Sequence, residues 1–232
     1  MTMTSRMLEG KKIAILVETE YIPYEIAAYQ TRFSELGATV HLMSRLSGNQ
    51  SIRFVADVDS VEEADRINRQ KTSLATLEVN IDFQNVDVNE YAAVIMAANY
   101  TSVRLRYFEP PPGQQISPEM TRTAPAVQFF AKAMANRRII KGLLCHGLWL
   151  LTPMPELLRG RRVICHEVVL ADIANAGAIY VPPPVNSPPN DPGNIVVDRD
   201  LVTGRAGHDV YAFIDAIADQ IVSQDQGLAG AA

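Results

Sequence analysis

Cysteine is scarce in this chain: Cys145 and Cys165 stand alone among 232 residues. Two thiols cannot build the disulfide framework of a small secreted domain. Basic clusters are lacking too. Against 26 acidic side chains there are 21 basic ones, a net charge of −5, so no nucleic-acid partner is expected. Long apolar runs are missing. The most apolar window, Leu143 to Leu158, is interrupted by His146, Pro153, Pro155 and Glu156, which makes a poor bilayer span. Met1 to Met7 is polar and lacks the apolar centre of a secretory signal. Histidine, cysteine and aspartate do not recur at zinc-ligand spacings. These absences predict a cytoplasmic protein with no membrane partner and no metal.

What remains is the composition of a globular domain, 47% hydrophobic and 20% charged. The sequence shows no internal repeat, linker or low-complexity stretch. A single domain over residues 1–232 is expected, with flexible ends at about 1–10 and 226–232. Ile13–Val17 is a short continuous apolar run, as suits a parallel strand buried on both faces. Between Glu25 and Leu36, apolar residues at Ile26, Tyr29, Phe33 and Leu36 fall at helical spacing, and Gly37 ends the helix. Val40–Met43 predicts a second strand, and this strand–helix–strand opening points to a doubly wound α/β sheet. Val61–Arg69 reads as a charged helix and Leu77–Phe83 as an edge strand. Ala92–Ala97 predicts a central strand, which puts Asn99–Arg106 past its end, where such sheets place ligands. Pro110–Gly113 marks a loop, and Pro125–Met134 a helix. Val163–Cys165 reads as a strand and Ala171–Ala176 as a short helix. A second loop with six prolines runs from Tyr180 to Gly193. Ile195–Val197 and Leu201–Thr203 suggest a hairpin, and Val210–Val222 the last amphipathic helix.

The chain's centre of gravity is Arg138–Trp149. Here an apolar strand (Ile139, Ile140, Leu143, Leu144) runs straight into Cys145-His146-Gly147. A nucleophile at a sharp strand-to-helix turn is held clear of the sheet. Gly147 offers room for the turn. A helix starting there would aim backbone N–H groups at the sulfur and favour thiolate. Against this stands the usual fate of a lone cysteine, burial as a small apolar side chain.

Taken together, the residues resemble the DJ-1/PfpI family of the class I glutamine amidotransferase-like superfamily. The likeness lies in Lys12–Glu25, Ala92–Ala97, Ile140–Leu151 with Cys-His-Gly, Leu157–Gly177 and Asp198–Phe213. It implies a flavodoxin-like three-layer α/β/α sandwich with a mostly parallel sheet and a cysteine nucleophile elbow, commonly a homodimer, needing no cofactor. It also implies a carboxyl beside the cysteine, which falls at Glu25. That carboxyl would hydrogen-bond the sulfur and lower its pKa; the alternative is a first-turn glutamate that complements the helix dipole. Two histidines compete as partner base, His146 next to the nucleophile and His166 at the end of the following strand. Many members carry Gly-Gly after the central strand as an oxyanion pocket. This chain has Ala97-Ala98-Asn99-Tyr100 there, so the pocket is assigned to Ala98 and Asn99 together with the N–H groups of Gly147 and Leu148. The His-Pro-Glu of the glutamine amidotransferases is missing, with His208-Asp209 its nearest echo, which argues against glutamine hydrolysis. Cys165 reads as a resolving thiol or, more simply, as packing.

Three functions are weighed, the first two on the resemblance and the third against it. One is an enzyme whose Cys145 thiolate attacks a small carbonyl, nitrile-like or peptide-like substrate. The second is a redox or stress sensor, or a chaperone-like protein, whose Cys145 is oxidised instead. The third is a binding module in which Cys145 is inert.

Overall fold

The computed structural model describes residues 6–57 and 76–229. Its six-stranded sheet runs in the order β2 (Thr39–Met43), β1 (Lys12–Leu16), β5 (Ala93–Met96), β6 (Ile140–Leu144), β10 (Leu201–Gly204) and β9 (Ile195–Asp198). The first five strands are mutually parallel, and only β9 is antiparallel. The continuous apolar runs explain this. All of β5, β6 and β10 is buried, as a strand covered on both faces requires. Helix α1 (Pro23–Glu35) packs against the last helix, α5 (Val210–Ala229). Helix α3 (Pro125–Ala135) packs with the turn that follows β6. This is the flavodoxin-like α/β sandwich.

Packing on β6 is tight at Gly142. A Cβ there would stand 2.8 Å from both Phe213 Cζ and Ile217 Cδ1 on α5. Gly142→Ala is therefore expected to cost about 1–3 kcal/mol through overpacking, read as a melting temperature several degrees lower. Beside Gly142, Lys141 is fully buried. Its Nζ donates to Asp200 Oδ2 at 2.5 Å and to the Asn136 carbonyl at 3.1 Å, and Arg161 donates to Asp200 Oδ1 at 2.8 Å. This ion cluster ties the β9–β10 turn to the start of β6, at the end of the sheet away from Cys145.

Several expectations need correction. The strand expected within 77–83 is β4 (Thr76–Val79), and it pairs with β3 (Ile52–Val55) in a separate antiparallel ribbon. The strand expected at 163–165 is only β7 (Arg162–Val163), paired with β8 (Ile179–Tyr180) outside the main sheet. The segment after β5 includes a short helix, α2 (Thr101–Leu105), and Leu170–Asn175 forms α4. The helix expected at 61–69 lies outside the described residues. Leu8 is fully buried, with its N–H bonded to the Leu36 carbonyl, and α5 continues to Ala229.

Candidate active site

Cys145 lies directly after the last residue of β6 and has φ +57°. Left-handed backbone is costly for a residue with a Cβ and persists only where the surroundings enforce it. Its N–H donates to the Gly204 carbonyl at 2.9 Å, and its carbonyl accepts from His166 N–H at 3.3 Å. These two bonds continue the sheet and turn the side chain off it. The element after the elbow is not the expected helix but a five-residue 3-10 turn, Gly147–Leu151. The left-handed residue is the cysteine itself. Gly147 serves close approach instead, since a Cβ there would sit 3.3 Å from Leu143 Cβ and 3.4 Å from the Met96 carbonyl. Leu148 is fully buried in the core.

The sulfur is not exposed as the elbow motif predicts; Cys145 is only 6% accessible. Burial, and then the charge of Glu25, pushes its thiol up to about 12. Three backbone N–H groups act the other way, those of Asn99, Gly207 and His146, which face the sulfur and favour its charged form. The expected lowering of the thiol pKa is thus reversed by the loss of solvent.

Glu25 is fully buried on the first turn of α1, and its carboxylate accepts from Ala98 N–H at 2.9 and 3.1 Å. Burial raises it to about 7, against the pull of Ala98 and of the nearby Tyr29 hydroxyl. The Tyr29 hydroxyl itself completes no hydrogen bond of normal geometry among the described residues. Ala98 therefore positions Glu25, and its N–H is not free to serve an anion. Asn99, at φ +66°, contributes its backbone N–H to the sulfur, while its side chain donates to Asp57 at 2.9 Å. The side-chain donor expected from Asn99 is spent on that aspartate.

Of the two histidines, His146 is the one beside the sulfur. Its Nδ1 lies 3.7 Å from Cys145 Sγ. Its ring stacks on Trp149 at 5.0 Å and on Tyr100 at 5.4 Å. Trp149 is fixed in turn by donating Nε1–H to Asp172 at 2.7 Å. Burial, with His166 close by, lowers His146 to about 4, so its imidazole is neutral over the physiological range. His166 sits one ring further out, 4.9 Å from the His146 ring and 42% accessible in its side chain. Its Nδ1 accepts from Val168 N–H at 3.3 Å, which leaves the proton on Nε2, 3.7 Å from Glu167. Glu167 is shared with Arg205 at 2.7 Å. Cys165 is fully buried, and burial pushes its thiol up to about 12.

Sequence reasoning missed Gly207. Its N–H reaches the sulfur from just past the end of β10, and the turn around it is held by Asp209. That buried carboxylate accepts from Asn190 N–H at 2.9 Å, Asn194 Nδ2 at 2.8 Å and Ala206 N–H at 3.2 Å. The second proline-rich loop is anchored in this way to the site. The available signal was position: Gly-His-Asp follows a parallel strand, at the end of the sheet where ligands bind.

The DJ-1/PfpI family profile matches residues 111–220, from the first proline-rich loop through the elbow into α5. Over these residues, just under half of the chain, the sequence is similar to that family. Solved structures extend the likeness to the whole DJ-1/PfpI fold. A ThiJ/PfpI domain protein from Brachyspira murdochii superposes with a TM-score of 0.65 at 13% identity, covering 93% of this chain and 98% of the other. Schizosaccharomyces pombe DJ-1 gives 0.63 at 14% identity, with 94% and 95% covered. A two-domain protein from Anabaena variabilis, containing DJ-1/ThiJ/PfpI-like and ferritin-like domains, gives 0.67 at 20% identity over 91% of this chain. The present chain spans half of that protein's length. No curated protein matches. Among the described residues, no helix is long and apolar enough to cross a membrane, and no cluster of histidine, cysteine and acidic residues suits a metal ion.

Proposed function

We propose that the protein is a cysteine-dependent enzyme that attacks a small electrophilic carbon, in a carbonyl, nitrile-like or peptide-like substrate, through Cys145. The observation that carries this reading is the convergence on one strained cysteine of three backbone N–H groups, a neutral imidazole and a buried carboxyl. Attack forms a bond from Sγ to the electrophilic carbon while the thiol proton passes to His146 Nδ1. His146 is assigned as the general base by position: its imidazole is neutral over the physiological range and its Nδ1 lies 3.7 Å from the sulfur. The negative charge that grows on the substrate oxygen or nitrogen would be met by the N–H groups of Asn99 and Gly207, which face the sulfur beside it. Glu25 assists in its protonated form, when it no longer repels charge on the sulfur. The tight enclosure favours compact substrates. The family likeness supports a homodimeric, cytoplasmic protein.

The same N–H groups would also hold the oxygens of a Cys145 sulfinate, which keeps a redox sensor as the second reading. One experiment separates the two. Methylglyoxal, an isonitrile and a peptide library are offered to the protein before and after alkylation of Cys145. Turnover of one class, lost on alkylation, supports the enzyme. Stoichiometric peroxide oxidation of Cys145 with no turnover supports the sensor instead.

A further inference from the structure

One groove of the molecule is not lined by Cys145. It has a volume of about 1370 Å³ and opens between the loop after β1, strand β3 and the segment Val103–Pro110. Its walls combine apolar and cationic groups. Phe54 forms part of one wall, while Tyr107 and Ile116 present large apolar surface to solvent, at 62% and 66% accessible. Exposed apolar surface of this kind, gathered in a concave site, marks a place where something binds.

The cations divide into those that are neutralised and those that are not. Arg104 pairs with Glu20 at 2.7 Å. Arg45 pairs with Glu109 at 3.0 Å and lies 5.8 Å over the Tyr107 ring, yet its Nε is buried without a hydrogen-bond acceptor among the described residues. Arg106 is half-buried and has no carboxylate within ion-pair distance among the described residues. Its one side-chain hydrogen bond among the described residues runs from Nη1 to Thr152 Oγ1 at 3.0 Å, and Thr152 is oriented by donating to the Trp149 carbonyl at 2.9 Å. Asp172, the acid whose field Arg106 feels, is bound to the Trp149 indole. Glu18 also lines the groove, but its carboxylate is capped by its neighbour's N–H, from Thr19 at 2.8 Å. A guanidinium taken partly out of water without a counter-ion is unfavourable. It carries five donors in a planar fork that suits carboxylate and phosphate-type oxygens. Arg106 is held in place, desolvated and short of acceptors at the wall of an apolar groove.

We propose that this groove binds a small organic anion, an oxyanion group joined to an aromatic or extended apolar body, with Arg106 as the anchor for the charge and Tyr107 as the platform for the body. The site is separate from the sulfur and does not depend on the chemistry assigned to it.

The test is a fluorescence titration of the full chain with anilinonaphthalene sulfonate, an aromatic anion. A saturable rise is expected, competed by dodecanoate and not by dodecanol at the same concentration. Arg106→Gln should weaken binding roughly tenfold or more, as the loss of a charge-assisted contact does, and Arg106→Lys should weaken it less. Tyr107→Ser, at an exposed position, should weaken it about threefold through lost stacking. Circular dichroism of each variant guards against dye binding to loosened protein. Should Arg106→Gln fail to fold, Tyr107→Ser decides. The proposal is overturned by no saturable binding, by dodecanol competing as well as dodecanoate, or by binding in a folded variant that equals the wild type.

Discussion

His146→Phe is expected to slow alkylation of Cys145 by iodoacetamide at pH 6 by about 10² to 10⁴, the usual contribution of a positioned general base. Phenylalanine keeps a flat ring against Trp149 and Tyr100, so the elbow and its stack remain while the proton acceptor 3.7 Å from the sulfur is removed. His166→Phe is expected to change the rate far less. Its Nδ1 is taken by Val168 N–H, and its ring reaches the sulfur only by way of His146. Mass spectrometry of the Cys145 peptide over time measures both. Equal slowing in the two variants would assign the base wrongly.

Glu25 and His146, both buried, make a second large prediction, for stability against pH. Burial raises Glu25 from 4.5 to about 7. Its native form therefore holds a proton that the unfolded chain has lost, and it contributes stability below pH 4.5 that disappears as pH rises to 7. Burial lowers His146 from 6.5 to about 4. Its contribution is the reverse: full above pH 6.5 and lost as pH falls to 4. Shifts of this size correspond to about 3 kcal/mol each. Between pH 4.5 and 6.5 the two slopes oppose each other and nearly cancel. Denaturant unfolding of the wild type should show no net slope from this pair across that window. Glu25→Gln should gain stability steadily as pH rises through it, because only the histidine slope remains. His146→Phe should lose stability over the same range. Parallel curves for all three proteins would mean that neither group is perturbed as described.

Much of the fold was legible because its signals are local. Ile13–Val17, Ala92–Ala97 and Ile139–Leu144 are unbroken apolar runs, and each became a buried parallel strand. The β9–β10 hairpin and helices α1, α3 and α5 followed from spacing and turn residues. The β3–β4 ribbon did not, since its partners lie far apart in the chain and their pairing leaves no local pattern. The site divides in the same way. Cys-His-Gly at the end of a strand marks an elbow on its face. The enclosure of the sulfur does not, because it arises where the Asn99 and Gly207 loops close over Cys145 from other strand ends. The motif favours His146 over His166 only slightly; in the structure the His146 ring, stacked on Trp149, is the one whose Nδ1 faces Sγ. Ala98 and Asn99 fall at the expected place but have other duties, one binding Glu25 and the other spending its side chain on Asp57.

The measurement that bears most directly on the site is the pH profile of Cys145 alkylation in the wild type and in Glu25→Gln. If His146 must be neutral and Glu25 protonated at the moment of attack, the profile is bell-shaped, rising near pH 4 and falling near pH 7. Glu25→Gln then keeps the rise and loses the fall. A rate that instead climbs steadily from pH 7 to about 8.5, as for an ordinary free thiol, and does so equally in both proteins, would contradict the poised cysteine.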